Sequence, residues 1–286
     1  VSSGIRSLTG EPVEGPFERH SYRVRFSGGN GFELAGIVDR PRERLTGELL
    51  ADSPVAVFSH CFTCSKDLKA IARISRRLAE LGVNVLRFDM TGLGGSDGDF
   101  SRTHFTSNQA DLRSAIQFAE SELGSVTGLI GHSFGGAASL AVASDEVARP
   151  KTLKAVVAIA APSDTVHLAN LLDRMNPKIQ EEGTGEVEIG GRRWMIRREM
   201  LDDFRTHQLA DQLPKVRAQV IAFHSPTDET VGYDHALRIS SLISSENDQP
   251  GCSVITLSGA DHLLIRHPGD AILVADTAAA FLNRHR

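Results

Sequence analysis

The segment Gly131-His132-Ser133-Phe134-Gly135-Gly136 follows a short apolar run at 126–130 and opens a stretch of small residues. A G-x-S-x-G pattern between a strand and a helix describes a nucleophile elbow, a sharp turn that holds a serine strained with its hydroxyl above a sheet. Out of that context the pattern is common, and a serine beside glycines is usually just a turn. A serine hydroxyl is a poor nucleophile near neutral pH until a base takes its proton. The elbow therefore predicts a histidine and an orienting carboxylate elsewhere in the chain.

For such an elbow the chain order is Ser, then Asp or Glu, then His. Of the eleven histidines, His262 in Ser258-Gly259-Ala260-Asp261-His262 comes directly after the last apolar run. A loop there can swing it over Ser133. His267 lies beside Pro268 on the approach to a final helix, and His132, next to the nucleophile, should point elsewhere. The carboxylate is assigned to Asp228 in Phe223-His224-Ser225-Pro226-Thr227-Asp228-Glu229, after the run at 218–223. The C-terminal ends of parallel strands are where ligand sites gather in open α/β sheets. The plainer alternative is a turn-forming Asp after Pro. Negative charge on an attacked carbonyl needs N–H donors, expected from the backbone of Phe134 and from Phe62 in the loop His60-Cys61-Phe62-Thr63-Cys64-Ser65-Lys66.

These residues need a scaffold. Apolar runs at 55–58, 83–88, 126–130, 154–160, 218–223 and 253–257, rich in Val, Ile and Leu, suit parallel strands buried on both faces. Helical periods separate them at 67–81, 105–123, 134–143, 232–243 and 270–283. In the first, Leu68, Ile71, Ile74, Leu78 and Leu81 form one stripe and Gly82 ends the helix. Ahead of these lie two alternating segments, 22–26 and 32–38, joined through Gly28-Gly29-Asn30-Gly31, which predict an edge hairpin. The expected fold class is α/β: a mostly parallel central sheet with an antiparallel N-terminal hairpin, helices on both faces and a small inserted lid, all in a single domain over 1–286.

The lid is expected at about 162–215, because connections in α/β units usually run ~2–6 residues and this one is far longer. An apolar helix around 164–175 precedes two alternating runs joined by Gly190-Gly191, and a second helix at about 198–209 follows. The hairpin register should place Glu188 opposite Arg193 and Val187 opposite Trp194. Candidate substrate-pocket residues are His60, Cys61, Phe134, Leu168, Leu171, Leu172, Trp194 and Met195, for each of which packing is an equal alternative.

Composition sets the outer bounds. The chain has 286 residues, 41% apolar and 23% charged, enough for a sizeable core. With 31 Lys plus Arg against 36 Asp plus Glu, no basic face recommends a nucleic-acid partner. No window reaches the ~18 consecutive apolar residues of a membrane span. The polar start, VSSGIRSLTGEPVEGP, lacks the core of a secretion signal. Three cysteines cannot all pair within one chain, so a cytoplasmic location is expected rather than a secreted disulfide scaffold. No H-E-x-x-H or four-ligand Cys/His spacing occurs, and no metal or cofactor is expected. Gly92-Leu93-Gly94-Gly95-Ser96-Asp97 ends in Asp where a dinucleotide loop needs Gly or Ala, so Asp89 and Asp97 read as loop-stabilising groups.

With these residues assembled, the chain resembles the α/β-hydrolase superfamily over nearly its whole length. Within that superfamily it is similar to the small-lid carboxylesterases that include cinnamoyl and feruloyl esterases. Their H-G-F-T-G-x-K loop is matched by His60 to Lys66, and their R-F-D-x-x-G-x-G-x-S-x-G segment by Arg87 to Gly98. The resemblance implies a serine hydrolase acting on small-molecule carboxylic esters, with short or aromatic acyl groups, through an acyl-enzyme on Ser133. Thioester or amide hydrolysis on the same triad is the alternative within that chemistry, and a homodimer is compatible with it. Cys61 and Cys64 stand where those esterases carry glycines. In that respect the loop resembles hydrolase domains fused in some bacterial proteins to an OsmC-type peroxidase, which leaves a non-catalytic partner of such a domain as a second class of reading.

Strand, C-x-x-C and helix is also the pattern of a thioredoxin-like dithiol. The rest of the chain supplies no thioredoxin-like frame. The two cysteines are therefore expected to be small residues filling tight loop positions. The narrower expectation is a disulfide that would distort the loop and switch hydrolysis off.

Overall fold

The computed structural model describes residues 15–243 and 250–286. The polar stretch at 1–14, and with it the expectation about a secretion signal, lies outside the described residues. The N-terminal hairpin pairs β1 (Glu18–Ser27) with β2 (Glu33–Arg42) in a register that sets Tyr22 opposite Val38 and Phe26 opposite Leu34. The turn closes through the Gly28 N–H to the Phe32 carbonyl at 2.7 Å, with Gly31 at φ 79°. That positive φ is the reason for a glycine there.

Strand–helix units follow: β3 (Val55–Ser59), α1 (Lys69–Glu80), β4 (Asn84–Phe88), α2 (Phe105–Glu122), β5 (Val126–His132), α3 (Phe134–Ser144) and β6 (Ala155–Ile159). An excursion holds α4 (Val166–Met175), α5 (Lys178–Glu182), β7 (Thr184–Ile189), β8 (Arg192–Arg197), α6 (Arg198–Thr206) and α7 (Leu209–Gln212). The main series resumes with β9 (Gln219–His224), α8 (Asp234–Leu242), β10 (Cys252–Thr256) and α9 (Pro268–Arg284). Eight strands form one sheet in the order β1-β2-β4-β3-β5-β6-β9-β10. Among the described residues of this sheet, only the β1–β2 and β2–β4 pairings are antiparallel.

One apolar layer packs α1 and α9 against the sheet through Ile71, Ile74, Leu78, Val274 and Ala278. The opposite layer includes Leu112 of α2, Leu140 of α3 and Phe204 of the excursion. β3, β4 and β6 are buried at every residue, as their continuous apolar runs require. β10 departs from that expectation. It is the edge strand, so its residues are half-buried or exposed.

Inside the excursion the hairpin register is the expected one, with Val187 opposite Trp194 and Glu188 opposite Arg193. Gly190 and Gly191 both have positive φ, 61° and 73°, the backbone that a two-residue hairpin turn of this hand needs. α5 went unforeseen, although Pro177 and the left-handed Gly183 bracket it as start and stop signals. The single helix expected at 198–209 is two, because the backbone becomes extended at His207. There the imidazole turns back to the Thr106 hydroxyl, 2.9 Å away, at the start of α2.

Asp203 of α6 anchors the same corner. Its carboxylate accepts from the Thr106 hydroxyl at 2.6 Å and the Thr106 N–H at 3.2 Å, with His104 at 3.4 Å. Burial alone would raise its pKa. The bonds from His207 and Thr106 and the charge of His104 outweigh that and hold it at about 2. A carboxyl depressed on folding stabilises fully above its unfolded pKa and loses that contribution as pH falls through its folded value. Asp203→Asn is therefore expected to cost roughly 1–2 kcal/mol near pH 7, from a shift worth ~1.4 kcal/mol per unit. The gap between wild type and variant in denaturant unfolding should shrink as pH is taken from 5 towards 2. A gap independent of pH would show that the carboxylate charge contributes nothing.

Candidate active site

The parallel strands run in one direction, so the loops after β3, β5, β9 and β10 collect at one end of the sheet. Ser133 sits in the turn between β5 and α3 with φ 52° and ψ −119°, a conformation rare for a side chain-bearing residue. The surroundings fix it there. Its N–H donates to the Ile159 carbonyl at 2.7 Å, and its own carbonyl accepts from Gly136 and Ala137 at 2.8 and 3.1 Å. The flanking glycines have no room for side chains. A β-carbon at Gly131 would lie 2.3 Å from the Gly135 carbonyl oxygen, and one at Gly135 only 2.4 Å from the carbonyl oxygens of Ser59 and His60.

His262 reaches Ser133 from the loop after β10. Its Nε2 lies 2.9 Å from Ser133 Oγ, and its Nδ1 lies 2.8 Å from Asp228 Oδ2. An ionised carboxylate only accepts, so Nδ1 carries the hydrogen and the Nε2 lone pair faces the serine hydroxyl. Asp228, whose side chain is fully buried, accepts at Oδ1 from the N–H groups of Thr230 and Val231 at 2.8 and 2.9 Å. Burial pushes its pKa up. The bond and charge of His262 and the two backbone donors more than reverse this, and the carboxyl stays below its ordinary range. The His262 loop is itself held: Asp261 accepts from the N–H groups of Ile265 and Arg266 at 3.1 and 2.7 Å.

His132 points away from the nucleophile, as expected, but has a role that the sequence did not signal. It is buried, and its Nε2–H donates to the carbonyl of His262 at 2.7 Å. Burial, followed by the proximity of His262, lowers its pKa to about 3, so it stays a neutral donor.

The loop from His60 to Lys66 lies against the first turn of α3. His60 is a pin, not a pocket residue. It is fully buried, its Nε2 accepts from the Met90 N–H at 3.1 Å, and its Nδ1–H donates to the Cys61 carbonyl at 2.8 Å. At the other end, the Asp89 carboxylate takes the Lys66 N–H at 2.7 Å and Lys66 Nζ at 2.8 Å, while Arg87 donates to the Lys66 carbonyl at 2.8 Å. Asp89 also accepts from the Gly95 N–H at 2.8 Å, so it stabilises two loops at once. Asp97 lies on the surface, 3.9 Å from Arg25. Cys61 and Cys64 are joined by a disulfide with Cα atoms 5.3 Å apart, which corrects the expectation that they are unlinked fillers.

A cavity of about 700 Å³ opens over Ser133 and His262. Phe62, Phe134, Leu168, Leu171 and Trp194 supply apolar walls, and Cys61 and Cys64 form part of its edge. The aromatic contacts continue around it, Phe62 to Phe134 at 5.5 Å and Phe100 to Trp194 at 4.9 Å between ring centres. Two further pocket expectations are corrected. Leu172, one turn from Leu168 on α4, is wholly buried in the core and does not line the cavity. Met195 follows Trp194 on β8, so the pleat turns it to the opposite face, where it is 42% exposed.

Residues 56–275 match the family described as the alpha/beta hydrolase family. The chain belongs to that family. The esterase domain of a Rhodothermus marinus protein is 33% identical, with a TM-score of 0.69, over 93% of this chain and 99% of that one. Est1E from Butyrivibrio proteoclasticus, solved with ferulic acid bound, is 22% identical with a TM-score of 0.74, over 92% and 98%. Mouse alpha/beta hydrolase domain-containing protein 10 is 20% identical with a TM-score of 0.71, over 92% and 99%. No curated protein shows significant sequence similarity. Among the described residues of this α/β hydrolase, no helix is long and apolar enough to cross a membrane.

The contact at Gly135 gives a direct check. Gly135→Ala forces a methyl group into two carbonyl oxygens and should destabilise the fold by about 1–3 kcal/mol. It should also slow fluorophosphonate labelling of Ser133 by on the order of tenfold, through displacement of the elbow. Denaturant unfolding and labelling rates measure the two effects, and wild-type values in both would show that the loops have room to part.

Proposed function

We propose that this α/β hydrolase is a serine carboxylesterase acting on esters of short or aromatic acids. The observation that carries the reading is the unbroken chain of hydrogen bonds from Ser133 through His262 to Asp228 at the floor of an apolar cavity. His262 Nε2 takes the Ser133 proton as Oγ attacks the ester carbonyl. Asp228 remains ionised and holds the imidazolium that forms. The backbone N–H groups of Phe62 and Phe134 stabilise the negative oxygen of the tetrahedral intermediate. Phe134 is the first residue of α3, so its N–H has no partner within the helix. His262 then protonates the departing alcohol, and a water activated by the same imidazole releases the acid from the acyl-enzyme.

The aromatic and leucine walls favour an acyl group with a flat or short apolar body. The identity to the Rhodothermus esterase domain supports ester chemistry, and the aromatic acid held by Est1E supports an aromatic acyl group. In this reading the excursion between β6 and β9 is a lid, with Leu168, Leu171 and Trp194 facing the nucleophile.

Short p-nitrophenyl esters and hydroxycinnamate esters test the reaction together with the acyl preference. Ser133→Ala should lower kcat by at least about 10³-fold and Asp228→Asn by about 10⁴-fold, with the fold retained by circular dichroism. Wild-type rates in Ser133→Ala, or a fluorophosphonate adduct on another residue, would remove the triad reading. A preference for thioesters or amides over every ester in the panel would move the substrate class.

A further inference from the structure

The segment 61–64 is a tight turn with an unusual residue at its apex. The Cys64 N–H donates to the Cys61 carbonyl at 3.2 Å, and Thr63 has φ 58°. A β-branched residue in the left-handed region is an outlier that persists only where its surroundings hold it. Among the described residues, no hydrogen bond ties the main chain of Phe62 or Thr63 to another element; the Thr63 hydroxyl reaches only the neighbouring Phe62 carbonyl at 2.7 Å. The pins at His60 and Lys66 hold the two sides of the loop, and between them the covalent Cys61–Cys64 link closes the turn. Phe62 lies inside that closed turn.

We propose that the Cys61–Cys64 disulfide is the positioning element for the Phe62 oxyanion donor, and that its reduction switches this hydrolase down. The inference rests on the esterase reading above. Its sign is opposite to the distortion that the sequence suggested, because the disulfide coexists with a fully assembled Ser133–His262–Asp228 set and an open cavity. Opening the link frees Thr63 to leave the left-handed region, and the Phe62 N–H turns with it. The nucleophile, the base and the walls supplied by Phe134, Leu168, Leu171 and Trp194 stay in place, so the loss falls mainly on transition-state stabilisation and not on substrate binding.

The chemistry needs a thiol reductant. Cys61 is 3% exposed whereas Cys64 is partly open, and both line the cavity, so attack falls on Cys64 Sγ. A reductant thiolate bonds to Cys64 Sγ, the Sγ–Sγ bond breaks, and its electron pair goes to Cys61 Sγ, which takes up a proton. A second thiol of the reductant attacks the mixed disulfide and releases the Cys64 thiolate. The reductant leaves as a disulfide, having given up two electrons. Disulfides persist in oxidising compartments, so the setting of this site follows the redox poise around the protein.

The test uses the full chain and dithiothreitol, removed anaerobically before assay on p-nitrophenyl butyrate. Oxidised enzyme should be active, and reduction should expose two new thiols and lower kcat by tenfold or more, with KM within about twofold. Loss of one oxyanion donor costs ~10²–10³ in kcat, which sets the ceiling. Reoxidation should restore the rate. Cys61→Ala/Cys64→Ala should show the low kcat without responding to reductant. Thr63→Gly, whose backbone accepts the left-handed region freely, should blunt the effect of reduction to less than about threefold. Two freed thiols with unchanged kcat, a disulfide that resists reduction in the folded enzyme, a loss confined to KM, or a Thr63→Gly variant as sensitive as wild type would each overturn the proposal. Circular dichroism of the reduced enzyme separates a positioning effect from unfolding, and unfolding on reduction would also overturn it. Oxidised enzyme without esterase activity would instead overturn the esterase reading on which the proposal stands.

Discussion

The direct seating of the first turn of α3 on the backbone of the β3–α1 loop governs the site. Gly135 lies so close to the Ser59 and His60 carbonyls that not even a methyl group fits between them. This contact brings the strained serine and the loop carrying Phe62 to one place. It also explains why the loop must be held from behind. With its front face against the elbow, it is tied back by His60 to Met90 and by Lys66 to Asp89 and Arg87. The Asp89 carboxylate is wholly buried, and its charge is met by Lys66 and by backbone N–H donors. Removing a single partner from such a group would leave an uncompensated buried charge, which makes the cluster rigid.

Electrostatics at this end of the sheet divides the histidines by task. His60, His132 and His224 are buried, and burial is the foremost cause that lowers the pKa of each. As neutral rings they act as fixed donors and acceptors: His60 between Cys61 and Met90, His132 to the His262 carbonyl, and His224 to the Val231 carbonyl at 2.8 Å. His262 alone faces both a carboxylate and the serine hydroxyl. His132 and His224 hold the loops that carry His262 and Asp228, His60 holds the loop that carries Phe62, and as neutral rings they add no positive charge beside the His262 imidazole.

Much of this was legible residue by residue. Runs of Val, Ile and Leu marked the strands because a parallel strand is buried on both faces, and β10 differed only because an edge strand has one neighbour. Ser133 was legible from its glycines. Asp228 and His262 were legible from their places after successive strands, since topology sends the C-terminal ends of parallel strands to one side. The hairpin at Gly190-Gly191 was legible down to its register, because side chain alternation and a two-residue turn leave one pairing. Met195 was misplaced because alternation tells which residues share a face but not which face looks into a cavity. Leu172 shares a face with Leu168, and periodicity does not tell which residue of that face the core covers. His60 has the composition of a site residue, and nothing local says that its ring turns inward to Met90.

By itself, the sequence determined the order of the main strands and helices, the strained turn at Ser133 and which carboxylate and imidazole, those of Asp228 and His262, join it in a chain of hydrogen bonds. Each of these follows from local backbone preference or from burial periodicity. Tertiary structure alone decided that His132 secures the loop of His262 across 130 positions, that α6 is latched to α2 through Asp203, and that Cys61 and Cys64 are joined. Those outcomes depend on distances between segments remote in sequence, or on the direction in which a loop residue points. Neither is encoded in the spacing of residue types, because a loop's path is set by what it packs against.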